Sequence, residues 1–328
     1  MSTIKVNAIE STASGGVAAK IASINDGGLG NRNLLNNSSF EVWQRGTAFA
    51  SGASGGNRYT ADRWSVPRRT RAAQSTDVPA GFKYALLLDR EQTGGTEPFT
   101  VSQGIEADNI RFTGSYTLSF YAKSSDISTV NINVQDRTTV SEGGTNHSSI
   151  VTNQSVSITS SWARYTHTFT LSSIALSGTC LRISIGNTSA SQNDELLLTG
   201  IQLETGSVAT NIEKRSFGHE LSLCYRYFYK NLQSPVGMFI ADGADSSKAY
   251  GFVGFPVTMR TAPTVVLADN NGNTDGKVTQ HGAAHNIAAT ASQIQKDGFC
   301  RVIKGSGTFN TSSARPIVAA VTSAEAEL

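Results

Sequence analysis

At 328 residues the chain is long enough for two domains, yet only 38% is hydrophobic and 16% charged, so Ser, Thr, Asn and Gly fill the difference. That mixture disfavours long salt-bridged helices and favours short strands with many turns. A formal net charge of +2 gives no electrostatic basis for a nucleic-acid or anionic-membrane partner, and no apolar run reaches the ~18–20 residues that would insert into a bilayer.

Residues 1–32 are poor in large apolar side chains, and Gly15, Gly16, Gly27, Gly28 and Gly30 interrupt them. Such a segment cannot bury a core by itself. It is either a loose terminus or an anchor that orders against other chains. From Asn33 to about Ile212 the hydrophobic period is two. Tyr116, Leu118, Phe120 and Ala122 share a face, as do Val130, Ile132 and Val134, then Leu181, Ile183 and Ile185, then Leu197, Thr199, Ile201 and Leu203. Gly94-Gly95, Gly143-Gly144 and Ser177-Gly178 punctuate these runs as turns. About eight strands without a convincing helix predict an all-β fold, an antiparallel jelly-roll β-sandwich spanning 33–212. Within it, Arg58, Arg63, Arg68, Arg69 and Arg71 form a basic run that reads as a solvated loop and strand edge.

A short helical bridge is expected over 213–232. Ser216 can cap it, Glu220 sits in the first turn, and Leu221, Cys224, Tyr225 and Phe228 recur at helical spacing. Beyond it, 233–328 reads as a second, smaller β domain. Its candidate strands are Gly237–Ala241, Ala249–Val257, Thr264–Ala268, Phe299–Lys304 and Pro316–Thr322, and Asn271-Gly272 is a hairpin turn.

Catalytic motifs are missing. There is no Gly-x-Ser-x-Gly, no P-loop and no His-Glu-x-x-His; His281 and His285 lack the intervening Glu and read as a surface loop. Asp269–Asp275 starts like a calcium loop but has Thr274 and Gln280 where the turn Gly and the bidentate Glu belong, so it reads as a hairpin. Cys180, Cys224 and Cys300 lie far apart without a Cys-x-x-Cys, which fits buried thiols and assembly in a reducing cytoplasm.

Two stretches carry a resemblance. Asn33–Trp64 reads NLLNNSSFEVWQRGTAFASGASGGNRYTADRW, and Gly200–Tyr229 reads GIQLETGSVATNIEKRSFGHELSLCYRYFY. In this order around a β-rich segment they resemble bacteriophage tail-fibre and tail-appendage proteins with a sandwich like a carbohydrate-binding module. Glu213, Lys214, Arg215, Ser216, Gly218, Glu220, Leu221, Cys224, Arg226 and Tyr227 match that family's junction run. The opening STIKVNAIE and the closing AVTSAEAEL are similar to the termini of marine phage fibre proteins.

The resemblance implies a virion protein assembled in the host bacterial cytoplasm. Its N-terminal segment would anchor it to other virion tail proteins, and its sister chains would form a homotrimer. The expected action is adhesion to a host-surface glycan without catalysis. Two alternatives stay open: a purely architectural fibre or adaptor protein, and a glycan depolymerase drawing paired carboxylates from Glu91, Glu97, Glu106, Asp108 and Asp136. Sugar binding needs open aromatic rings beside polar groups. Trp43, Arg45 and Tyr59 are the first choice, with the loop Ser51–Asn57, core packing being the other reading of Trp43; the loops Ser141–His147 and Ser189–Asp194 are secondary candidates, and Trp64 and Trp162 read as packing. No cofactor is expected, save that the resembled sandwiches often hold a structural calcium. Glu41 would be its ligand here, although Thr199-Gly200 stands where the family has an acidic pair.

Overall fold

A computed structural model describes residues 31–52, 56–91, 99–140, 145–173, 176, 178–187, 191–230, 240–241, 248–268, 277–280, 287–304, 317–318 and 320–328. The anchor segment (apart from residues 31 and 32), the Asp269–Asp275 turn, the His281/His285 pair and parts of the three glycine- and serine-rich loops lie outside these residues.

The protein is an all-β jelly-roll sandwich followed by a short helix and a second, smaller β unit. The sandwich strands are β1 (Ala48–Phe49), β2 (Asn57–Tyr59), β3 (Ser65–Pro67), β4 (Arg71–Ser75), β5 (Ala85–Asp89), β6 (Phe99–Glu106), β7 (Gly114–Lys123), β8 (Thr129–Arg137), β9 (Asn146–Ser157), β10 (Ala163–Leu171), β11 (Cys180–Asn187) and β12 (Glu195–Thr205). They form two antiparallel sheets of order β1-β4-β5-β12-β7-β10 and β2-β3-β6-β11-β8-β9. Among the described residues twelve strands stand where about eight were expected, and β1 to β3, at two or three residues each, are too short to leave a periodic signal. From β5 onward most connections cross from one sheet to the other, which is the jelly-roll winding.

The alternation found in the sequence fills the core between the sheets. Tyr116, Leu118, Phe120 and Ala122 from β7 meet Val130, Ile132 and Val134 from β8 and Leu181, Ile183 and Ile185 from β11, all buried. On β12 the expected phase is wrong at its start. Leu196 and Leu198 point inward, while Leu197 is only partly buried. The register then shifts between Thr199 and Gln202, where Gly200 takes a φ of +59°. This bulge adds one residue, so Ile201 and Leu203 return to the core.

The Asn-rich start of the sandwich has a physical reason. Asn33 Oδ1 accepts from the Leu35 and Leu203 amides, each at 3.0 Å, and its Nδ2 donates to Ile201 O at 3.1 Å. One side chain thus satisfies the backbone left unpaired by the β12 bulge. Asn37 adopts a φ of +53°, which Asn tolerates better than other non-glycine residues. Its amide holds both backbone groups of Val42 and the carbonyl of Asp62, and its own carbonyl accepts from buried Trp64 Nε1 at 2.9 Å.

The helix, α1, spans Phe217–Tyr225, and Ser216 caps it by accepting from the His219 amide at 3.3 Å. Phe228, which its spacing placed on the helical stripe, does not lie on it. The helix ends at Tyr225, and Phe228 opens β13 (Phe228–Lys230). The remaining strands are β14 (Ile240–Ala241), β15 (Lys248–Gly254), β16 (Thr264–Ala268), β17 (Lys277–Gln280), β18 (Ile287–Gln295), β19 (Gly298–Lys304), β20 (Ile317–Val318) and β21 (Ala320–Glu325). They pair as β13-β21-β16 and β14-β20-β17-β18-β19-β15, over a small core that includes Tyr229, Val253, Met259, Leu267 and Phe299.

Candidate functional site

The sequence candidates separate into two places. Arg45 and Tyr59 lie in a joint between the sandwich and the C-terminal residues. Arg45 Nη2 is 3.3 Å from both Glu325 Oε1 and Glu327 Oε1, and its guanidinium lies 3.5 Å from the Phe228 ring centroid and 5.2 Å from that of Tyr59. Tyr59 donates its hydroxyl to Leu328 O at 2.8 Å, and burial pushes its pKa up.

Arg63 belongs to the same joint, so the basic run is not wholly a solvated edge. Its side chain is 1% exposed, pairs with Glu327, donates to Gly104 O at 2.7 Å and stacks 3.4 Å from the Tyr227 ring centroid. Burial alone would lower its pKa, but Glu327, Tyr227 and Tyr59 outweigh that and raise it. Gln44 extends the joint by imitating a strand: its Nε2 donates to Phe228 O at 2.8 Å and its Oε1 accepts from Lys230 N at 2.9 Å. The same Nε2 reaches Asp62, whose carboxyl is pushed up to about 7, chiefly by burial and against the opposing pull of Arg45.

Trp43 lies elsewhere, in an open pocket of about 330 Å³ between the sandwich and α1. The pocket is lined by the rings of Trp43, Tyr84 and Phe217, with Lys83, Gln74, Thr47 and Glu41 among its polar groups. Trp43 is half-buried: its Nε1 donates to Phe40 O at 2.6 Å, and its ring stacks on Phe49 at 6.5 Å between centroids. Phe217 is 52% exposed. Lys83 Nζ sits 5.1 Å from the Tyr84 ring centroid. Apolar faces beside amide, ammonium, hydroxyl and carboxylate groups suit a ligand with C–H faces and many hydroxyls.

Sequence reasoning missed Tyr84 and Phe217. Phe217 was legible as the residue after the cap and four before Leu221, so it shares that face; Tyr84 sits before β5 and carries no periodic signal.

Trp64 is fully buried against Phe40, and Trp162 sits on the rim, donating to Asp77 Oδ1 at 2.8 Å. Cys180 and Cys224 are buried and free, and burial raises both thiols, Cys180 to about 11. Of the carboxylates considered for hydrolysis, Glu106 binds Arg226 and Tyr227, Asp136 accepts from Gly178 N at 2.8 Å, and Glu91 accepts from the Ser51 hydroxyl.

Glu41 also borders a smaller pocket of about 110 Å³, with Glu213, Glu220 and Arg215. The Arg215 guanidinium lies 3.6 Å from Glu213 and 3.6 Å from Glu220. The carbonyls of Asn33 and Leu35 accept from Arg215, Thr199 Oγ1 donates to Tyr84 O at 2.8 Å, and Gly200 has no side chain to offer. Among the described residues no group of three His, Cys, Asp or Glu side chains is placed to hold a metal. Burial raises the Glu220 carboxyl, partly offset by the Asn37 amide and Arg215.

The fold and this pocket define a jelly-roll sandwich protein with an aromatic-lined groove. No protein-family model matches the sequence, and no curated protein does. Among solved structures, the chain is similar to the CBM22-1 xylan-binding domain of Paenibacillus barcinonensis Xyn10C, with 16% identity over 49% of this chain and 99% of that one, at a TM-score of 0.34. It is also similar to TmCBM61 in complex with β-1,4-galactotriose, with 17% identity over 53% of this chain and 98% of that one, at a TM-score of 0.30. A third is the enzymatically active domain of bacteriophage CBA120 tailspike protein 4, with 14% identity over 53% of this chain and 21% of that one, at a TM-score of 0.33.

Proposed function

We propose that the protein is a non-catalytic adhesin of a bacteriophage tail fibre or appendage, and that it holds a host-surface glycan in the Trp43–Tyr84–Phe217 pocket. The observation that carries this reading is the pocket itself: three rings border one open groove, and Phe217 is left half in water. Exposure of Phe217 alone would be ordinary; its place beside Trp43 and Tyr84 at one groove, with polar groups around them, is what suits a ligand. Lys83, Gln74 and Thr47 supply the hydrogen bonds that fix orientation.

The pocket contains one carboxylate, Glu41, where glycoside hydrolysis uses two facing each other. That favours binding over cleavage. Weak single-site affinity suits a fibre, in which sister chains multiply the contact. The sequence resemblance supplies the virion setting, the anchoring role of residues 1–32 and the trimer.

The test is binding of the full chain to intact bacteria and to a glycan array, beside Phe217→Ala and Trp43→Ala. Phe217→Ala removes an exposed ring, keeps the fold, and is expected to weaken binding about tenfold or more. Unchanged binding by Phe217→Ala would move the site elsewhere. Failure of the wild-type chain to bind any cell or glycan, together with incorporation into particles, would make the protein architectural. Release of reducing sugar would make it a depolymerase.

A further inference from the structure

Arg215 stands at the junction between the sandwich and α1 with its side chain only 6% exposed. Nη1 donates to Leu35 O at 3.1 Å, and Nη2 donates to Asn33 O. Nε lies 3.6 Å from Glu213 Oε1, and Nη1 lies 3.6 Å from Glu220 Oε1. Each carboxylate is also held in place by backbone: Glu213 accepts from the Asn31 and Asn33 amides, both at 2.7 Å, and Glu220 accepts from the Asn37 amide. Two carboxylates and two carbonyls thus converge on one buried positive charge. Such an all-oxygen set is what a hard divalent cation collects, but here the charge is covalently tethered and its planar fork matches the carbonyl pair.

We propose that Arg215 is a built-in cation that closes the start of the sandwich without a metal ion. It balances one of the two negative charges carried by Glu213 and Glu220 and ties the Asn33–Asn37 segment to the helix. The consequence is that the Asn33–Asn37 segment that begins the sandwich depends on the helix junction for its closure, and its integrity is independent of calcium.

The experiment uses the full chain. Thermal unfolding and terbium luminescence are measured with millimolar calcium and with chelator, for the wild type, Arg215→Ala, Arg215→Lys and Glu220→Gln. The wild type is expected to unfold at the same temperature in both buffers and to give no bound-terbium signal that Glu220→Gln removes. Arg215→Ala is expected to unfold earlier, to recover part of the loss in calcium, and to bind terbium at least about tenfold more tightly than the wild type. Arg215→Lys keeps the charge but not the fork, and is expected to lie between them without gaining calcium dependence. A wild type stabilised by calcium and weakened by chelator would overturn the proposal, as would an Arg215→Ala protein that folds and ignores both ions. Where Arg215→Ala fails to fold, the wild-type chelator response and the Arg215→Lys comparison decide.

Discussion

Glu327→Leu tests the joint most directly. In the folded protein Arg63 is 1% exposed and Glu327 4% exposed, so neither charge has bulk water to return to. Removing one partner of a buried pair costs ~3–5 kcal/mol, since the other charge stays buried and loses its counter-ion. Arg63 would keep Gly104 O and the Tyr227 ring, which places the expected loss near the lower bound, ~3 kcal/mol. At the few degrees per kcal/mol usual for larger chains, that is a fall in Tm of ~6–12 °C. The double variant Arg63→Met with Glu327→Leu removes both charges of the pair but leaves Gly104 O without its donor and Arg45 without Glu327, so it is expected to recover only part of the Glu327→Leu loss. Urea unfolding of the wild type, both single variants and the double variant closes the cycle. A Glu327→Leu loss below ~0.5 kcal/mol, the scale of an ordinary surface change, would refute the view that this pair is a buried, coupled unit.

Two further outcomes follow from features of the sandwich. Asp62 has a folded pKa of about 7 against an ordinary value of 3.8, so the folded state holds its proton more tightly; its contribution is full below pH 4 and is lost as the pH rises toward 7. Comparing the urea midpoints of wild type and Asp62→Asn across that range should show Asn gaining relative to Asp as the pH rises, and a constant difference would contradict the assignment. Gly200→Ala places a side chain at a φ of +59° and a Cβ 2.6 Å from Phe82 Cζ, so a loss of ~1–2 kcal/mol from the backbone term alone is expected in the same assay. A variant as stable as wild type would mean that the β12 bulge relaxes.

The long strands were legible because one face of each meets the apolar core while the other carries mostly polar side chains. Tyr116 to Ala122 and Leu181 to Ile185 alternate for that reason, and their assignments match the core. Leu197 and Thr199 misled because a single bulge residue, Gly200, inverts the phase, and no local pattern announces a bulge. The joint was invisible for a different reason. Arg45, Tyr59 and Arg63 have the composition of an open polar surface, and contacts from far along the chain, with Gly104, Tyr227, Phe228 and the Glu325–Leu328 end, bury them. Trp43 was found because its ring is large, and its partners were not, because Tyr84 and Phe217 come from two separate elements.

The chain leaves the sandwich through Arg226–Lys230 and comes back through Glu325–Leu328, and these two passages lie side by side, with Phe228 opposite Glu325 and Lys230 opposite Ser323. A tether so arranged has a mechanical direction. Pulling the C-terminal sheets along the β13–β21 axis loads the ladder, the Arg63–Glu327 pair and the Gln44 amide together, so they must fail at once. Pulling across that axis opens them one after another. This geometry gives the protein a stiff axis for bearing load and a soft one for yielding.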